Sequence, residues 1–249
     1  MTLLMMWFMP PWVNPIYGIW LPLAAMLFAI VMQARVQSTF RRFSQVATRS
    51  GLSGAEVAEL LLRSRGIGDV RVEQVGGFLS DHYDPRTKTL RLSPPVYAGR
   101  SIAALGVAAH EAGHALQHAD AYAWLTFRSQ MVPVVNIGSK LGMILAPIGV
   151  LIAMGSTGPF GMSLLIVAAI GLAAVVLFSL VTLPVEIDAS RRAIALLGNS
   201  GVLVGGEIDG ARSVLNAAAW TYVASAAAAA VELIKVLAIL AGARGRSRE

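Results

Sequence analysis

No cysteine occurs in this 249-residue chain. Disulfides, thiolate metal ligands and cysteine nucleophiles are therefore excluded. Charge is scarce: Asp, Glu, Lys and Arg make up 14% of the residues, against 56% that are hydrophobic. A soluble domain rarely carries that balance. The net charge of +6 comes from scattered arginines. There is no basic stripe interleaved with aromatics, which argues against a nucleic-acid partner. Beside a bilayer, such arginines meet lipid headgroups or set topology.

The apolar residues are bunched. Four runs, 15–34, 131–154, 160–185 and 214–243, are nearly free of charge; Lys140 interrupts the second, and Glu232 and Lys235 the fourth. Each reaches the roughly 20 residues needed to cross about 30 Å of hydrocarbon. The first run has no basic segment before it and is followed by Gln33, Arg35 and Gln37, so it reads as a retained anchor rather than a signal peptide. Glu232 and Lys235 lie one turn apart and can pair. Spans two and three offer almost no polar ligand, which disfavours a metal transporter.

Residues 35–130 form the one long polar section. "SGAEVAELLLRSRG" predicts a short helix capped by Ser53, with Glu56 completing a capping box and Gly66 ending it. "VRVEQVGGFLSDHYDPRTKTLRLS" alternates apolar and polar residues around "GG" and "DPRT", which predicts two or three antiparallel strands. Pro94 and Pro95 break that pattern. Good helix formers without proline predict one long helix from Ser101 to about Arg128. The third span is expected to continue beyond the membrane edge through "VEIDASRRAIALL" until "GNSG". "GSTGP" is expected to turn the second span into the third, and Asp209 to cap the last helix. The arginines after spans one and three put those segments in the cytoplasm by the positive-inside rule. The three arginines of "ARGRSRE" conflict with that rule if all four runs cross.

Histidine is scarce, with four in the chain. Three of them fall in "AAHEAGHALQH". "HEAGH" fits H-E-x-x-H on a predicted helix. His110 and His114 are four apart and share a helix face, about 6 Å along the axis. Two imidazoles so spaced can share one zinc ion. Glu111, offset by about 100°, can act as base toward a water that the ion activates. His118 lies about 12 Å beyond His110 along a straight helix and cannot reach the same ion. Its expected role is packing or support of the site. Position 117 is Gln and position 120 is Asp, so the metzincin spacing is absent.

A third protein ligand is still required. The candidates are Glu186, with Asp188 as the alternative or as a residue that orients a ligand. A carboxylate at the end of an apolar helix is costly unless paired or metal-bound. Pairing with Arg191 or Arg192 is the plain structural alternative. His82, Tyr83 and Tyr222 carry donors suited to a developing oxyanion. "KTLRLS" (88–93) or "FLSDHY" (78–83) could offer a sheet edge to an extended peptide.

Together, "SDHYDPRTKTLRLS", "GVAAHEAGHALQH" and "LVTLPVEIDASRRA" resemble the neutral zinc metallopeptidases of bacterial membranes, the YugP-type family. The resemblance runs from about Val36 to Tyr222. It implies a multi-pass membrane protein with a zinc-dependent peptidase site. Through the wider gluzincin group, including HtpX-like and CAAX-prenyl proteases, it implies His110 and His114 as ligands, Glu111 as base and Glu186 as the ligand on the later helix. Those relatives carry an aspartate four residues after the ligand glutamate, where it supports a histidine; here that position is Ser190.

The expected fold is a mainly α membrane protein of about four transmembrane helices with a small α+β zincin-like catalytic unit. The expected order is an anchor (1–35), a catalytic region (36–130), a transmembrane hairpin (131–185), a helix with the third ligand (186–213) and a last transmembrane helix with a basic tail (214–249). The expected activity is zinc-dependent endopeptidase cleavage of membrane or membrane-proximal polypeptides in the cell membrane, with the catalytic region cytoplasmic. The alternative is a metal-binding membrane scaffold or chaperone without proteolysis.

Overall fold

The structure, a computed structural model, describes residues 16–155 and 159–246. Most of the "GSTGP" turn and the last three residues of "ARGRSRE" lie outside the described residues, as does the chain before Ile16. After a π-helical turn, Ile16–Trp20, the elements are α1 (Leu21–Ser44), α2 (Gly54–Ser64), β1 (Arg71–Gln74), β2 (His82–Asp84), β3 (Thr89–Leu92), α3 (Pro94–Tyr97), α4 (Ile102–Ala119), α5 (Ala123–Gly155), α6 (Pro159–Asn199) and α7 (Gly206–Arg246).

Among the described residues, four stretches are long and apolar enough to cross a membrane: Gly18–Ser44, Ala123–Ile152, Pro159–Asn199 and Gly206–Gly242. The chain divides into two compact units. One comprises residues 1–31, 128–181 and 222–249, and the other 32–127 and 182–221.

In the first unit, α5 and α6 touch through glycine. A Cβ on Gly171 would lie 2.4 Å from the Gly138 carbonyl oxygen. Gly138 and Gly142 form a G-x-x-x-G pair, the small-residue spacing that lets membrane helices approach closely. Leu165 and Ala169 of α6 pack with Val236 and Leu240 of α7. Met143 and Leu151 are 72% and 71% exposed; lipid, unlike water, imposes no penalty on such faces. Pro133 and Pro147 interrupt the hydrogen-bond ladder of α5, which neighbouring helices in a membrane tolerate. Glu232 and Lys235 pair on α7.

The second unit is built around α4. Alanines 104, 108, 109, 112 and 115 and Leu105 are all buried, so this helix is apolar nearly all round and is packed on every side. Val57, Ala58, Leu61 and Leu62 of α2, Leu90 and Leu92 of β3, Ala193 and Leu197 of α6 and Ala211 and Leu215 of α7 complete the core. The α2 capping box is present, with Ser53 Oγ accepting from Glu56 N and the Glu56 carboxylate from Ser53 N. Gly66 at φ +71° ends this helix. Gly66 N donates to Arg63 O, and Ile67 N to Leu62 O, both at 3.0 Å, a Schellman motif.

Four expectations are corrected. The strands are not all antiparallel: the order is β1-β3-β2, with β1 parallel to β3 and β2 antiparallel. Residues 75–81 therefore cross over rather than form a hairpin, helped by positive φ at Gly77 and Leu79. "DPRT" does make a hairpin turn, with Asp84 accepting from Arg86 N and Thr87 Oγ1 at 2.9 Å each. "KTLRLS" is the central strand, so its pairing capacity is used on both sides, and the sheet's edges are β1 and β2. The helix predicted from Ser101 to Arg128 is broken. Ala121, at φ +50°, takes the left-handed position of a second Schellman motif, with Ala121 N donating to His118 O and Tyr122 N to Gln117 O. Finally, α7 starts at Gly206, which puts Asp209 in its first turn and not at its cap.

Candidate metal centre

Helix α4 opens at Ser101, whose Oγ accepts from Ala104 N. Two turns on, it presents His110 and His114 on one face, rings edge to face with centroids 4.8 Å apart. Helix α6 continues without a break from the third apolar run to Asn199, as expected, and carries Glu186 to the same point. Glu186 Oε2 lies 3.2 Å from His110 Nε2 and 3.5 Å from His114 Nε2. The ligand atoms of these three residues all lie within 4.8 Å of one another.

The approach of the two helices depends on Gly113. A Cβ there would stand 2.6 Å from the Ala189 carbonyl oxygen, three residues after Glu186. The glycine inside "HEAGH" is thus the contact point that brings the histidines to the carboxylate.

Each histidine has a neighbour at its other nitrogen. Ser190 Oγ lies 3.2 Å from His110 Nδ1. Gln117 Oε1 lies 3.0 Å from His114 Nδ1. Both Nε2 atoms are left to face Glu186, the arrangement expected of metal-ligating imidazoles. Two imidazole nitrogens and a buried carboxylate oxygen are a donor set that suits zinc. Charge points the same way. Burial alone would push the His114 pKa down, but the hydrogen bond and charge of Glu186, with Glu111 nearby, outweigh it and raise it. The cluster therefore favours a positive charge at that position, which a divalent cation satisfies.

Glu111 is buried, 7% exposed. Burial pushes its carboxyl pKa up, opposed by His110 and His114. No hydrogen bond reaches its carboxylate from the described residues, so it is free to act on something that enters the site.

Asp188, His118 and His82 have partners of their own. Asp188 is not in the cluster; its Oδ2 accepts from Gln117 Nε2 at 2.8 Å and from Arg192 Nε at 2.6 Å. Arg192 also pairs with Asp120. His118 Nδ1 lies 2.8 Å from the Tyr83 hydroxyl, tying the edge strand β2 to α4. Burial first, then Asp69 and Asp84, push the Tyr83 phenol up to about 12, so it stays neutral. His82 is exposed, with Nδ1 2.8 Å from the Ser80 carbonyl oxygen. Tyr222 lies on α7. Gln117 and Gly113 were missed by the sequence reasoning. A glutamine three residues after His114 in an alanine-rich helix shares its face, and that spacing was the available signal.

Residues 18–241 match the family profile described as "Putative neutral zinc metallopeptidase". The chain is 42% identical over 226 residues to the "Putative membrane protease YugP" of Bacillus subtilis (strain 168), covering 91% of this chain and 97% of that protein. No solved structure matches it.

Proposed function

Because the chain belongs to this neutral zinc metallopeptidase family, we propose that it is an integral-membrane zinc endopeptidase. Its substrates in this reading are membrane or membrane-proximal polypeptides, and its catalytic region faces the cytoplasm. The observation that carries the reading is the convergence of His110, His114 and Glu186 from two helices, with Glu111 beside them.

In this reading His110, His114 and Glu186 hold zinc. Zinc so held supplies Lewis acidity and brings the pKa of water to about 7. Glu111 takes a proton from water as the water oxygen bonds to the scissile carbonyl carbon. It then returns a proton to the amide nitrogen as the C–N bond breaks. Ser190 orients His110. The substrate lies extended along β2, the free edge beside α4, and pairs by backbone hydrogen bonds. That mode needs no side-chain pocket, which agrees with cleavage of diverse unfolded or membrane-proximal segments.

The test is a purified-protein assay in detergent. Wild type should carry about one zinc per chain and cleave an unfolded protein or a membrane-derived peptide. Glu111→Gln should keep the zinc and stop cleavage, while His114→Ala and Glu186→Ala should lose most of the zinc. Zinc binding with no cleavage that depends on Glu111 would instead leave a metal-binding scaffold.

A further inference from the structure

We propose that Gln117 is a positioning residue that locks the orientation of His114 and holds the Glu186-bearing helix in register with it. The proposal rests on the metallopeptidase reading of the same site and adds a residue to it.

Gln117 is 0% exposed, between α4 and α6. Its Nε2 sits 2.8 Å from the Val185 carbonyl oxygen and 2.8 Å from Asp188 Oδ2. A carbonyl and a carboxylate only accept, so both amide protons are used. Turning the amide over would set its oxygen against two acceptors, which fixes the flip by chemistry. Oε1 must then face His114 Nδ1, 3.0 Å away. An oxygen there requires a proton on Nδ1, which leaves the Nε2 lone pair directed to the site shared with His110 and Glu186.

The same amide grips the backbone one residue before Glu186. Asp188 is held in turn by Arg192 Nε, and Arg192 reaches back to Asp120 at the end of α4. The chain Gln117–Asp188–Arg192–Asp120 therefore crosses between α4 and α6 twice, one turn beyond the Gly113–Ala189 contact. An isolated ligand-supporting residue would orient one ring. Gln117 couples one ligand's ring to the backbone that carries another.

The experiment measures zinc affinity by chelator competition on the full-length protein in detergent, with the unfolding midpoint of the zinc-free form recorded in parallel. Gln117→Leu should weaken zinc binding by about 10–100-fold in protein that remains folded. Gln117→Glu should also weaken it, because a carboxylate oxygen then confronts both the Val185 carbonyl and Asp188. Adding Asp188→Asn to Gln117→Glu supplies a donor at one of these two contacts and should recover part of the loss, a rescue that simple core filling does not produce. Because Gln117→Leu can fail to fold, the tautomer is read on wild type by ¹⁵N-histidine spectroscopy, tractable with four histidines. The zinc-loaded protein should show His114 protonated at Nδ1. Zinc affinity within threefold of wild type in Gln117→Leu, no rescue by Asp188→Asn, or ligation through Nδ1 overturns the proposal. Absence of zinc binding in wild type overturns the underlying metal-centre reading instead.

Discussion

Replacing Gly113 by alanine separates two views of the "HEAGH" glycine. If it is merely a weak helix residue, Gly113→Ala stabilises α4 by about 1 kcal/mol and leaves the site alone. The packing argues otherwise. The added Cβ would stand 2.6 Å from Ala189 O, 3.2 Å from its C and 3.3 Å from its Cα. These are backbone atoms, so no side chain can rotate away. Ordinary contact begins near 3.4 Å, and the difference from 2.6 Å means the helices must part by about 0.8 Å locally. Zinc–ligand distances tolerate about 0.2 Å. Overpacking costs about 1–3 kcal/mol, which the gain in helix propensity partly offsets. The expected result is a small change in the unfolding midpoint of the zinc-free protein with zinc affinity down at least about tenfold. Chelator competition beside a thermal melt reads both quantities. An alanine variant that is more stable and binds zinc as wild type does would refute the claim that this glycine sets the α4–α6 distance.

Other outcomes follow from the same geometry. Ala121→Gly should raise the unfolding midpoint, because a left-handed residue other than glycine costs about 1–2 kcal/mol; an unchanged or lower midpoint in a melt would count against the strain. Ser190→Ala removes the neighbour of His110 Nδ1 at 3.2 Å and should weaken zinc binding by about tenfold, measured by the same competition; unchanged affinity would remove Ser190 from the site. Asp81 is raised in pKa, first by burial and against its hydrogen bonds from Ser93. A carboxyl with a raised folded-state pKa contributes stability below its unfolded value, lost as pH rises through the folded value. The advantage of Asp81→Asn over wild type should therefore grow as pH rises above 3.8, the ordinary value, and then level off. A pH series of unfolding midpoints with a flat or opposite trend would contradict this. Chelation of zinc should lower the unfolding midpoint of wild type more than that of Glu186→Ala, since ligand binding to the folded state is itself stabilising.

Features legible in the sequence were those governed by local rules. Span length and missing charge are read directly, and four helices of the required length and apolarity are present among the described residues. The α2 start and stop follow from Ser53, Glu56 and Gly66, whose partners lie within a few residues. The i, i+4 spacing puts His110 and His114 on one face of any helix. The run of α6 beyond the third span was equally legible, because nothing in 186–199 breaks a helix.

What was not legible depends on distant atoms. Alanine at 121 is a good helix former, and only the Schellman hydrogen bonds to His118 and Gln117 hold it left-handed. The alternation in 70–93 announces strands but not their direction, because β1 pairs in parallel with a strand that follows a crossover. Both Glu186 and Asp188 were open as partners of the histidines. They sit two residues apart and cannot both point at one spot. The rotation of α6 against α4 brings Glu186 to the imidazoles and gives Asp188 to Gln117 and Arg192. The elements and the histidine pair follow from the chain itself, because their energetics are local. Which carboxylate meets that pair is settled by packing, where Gly113 lets one helix rest on the backbone of another.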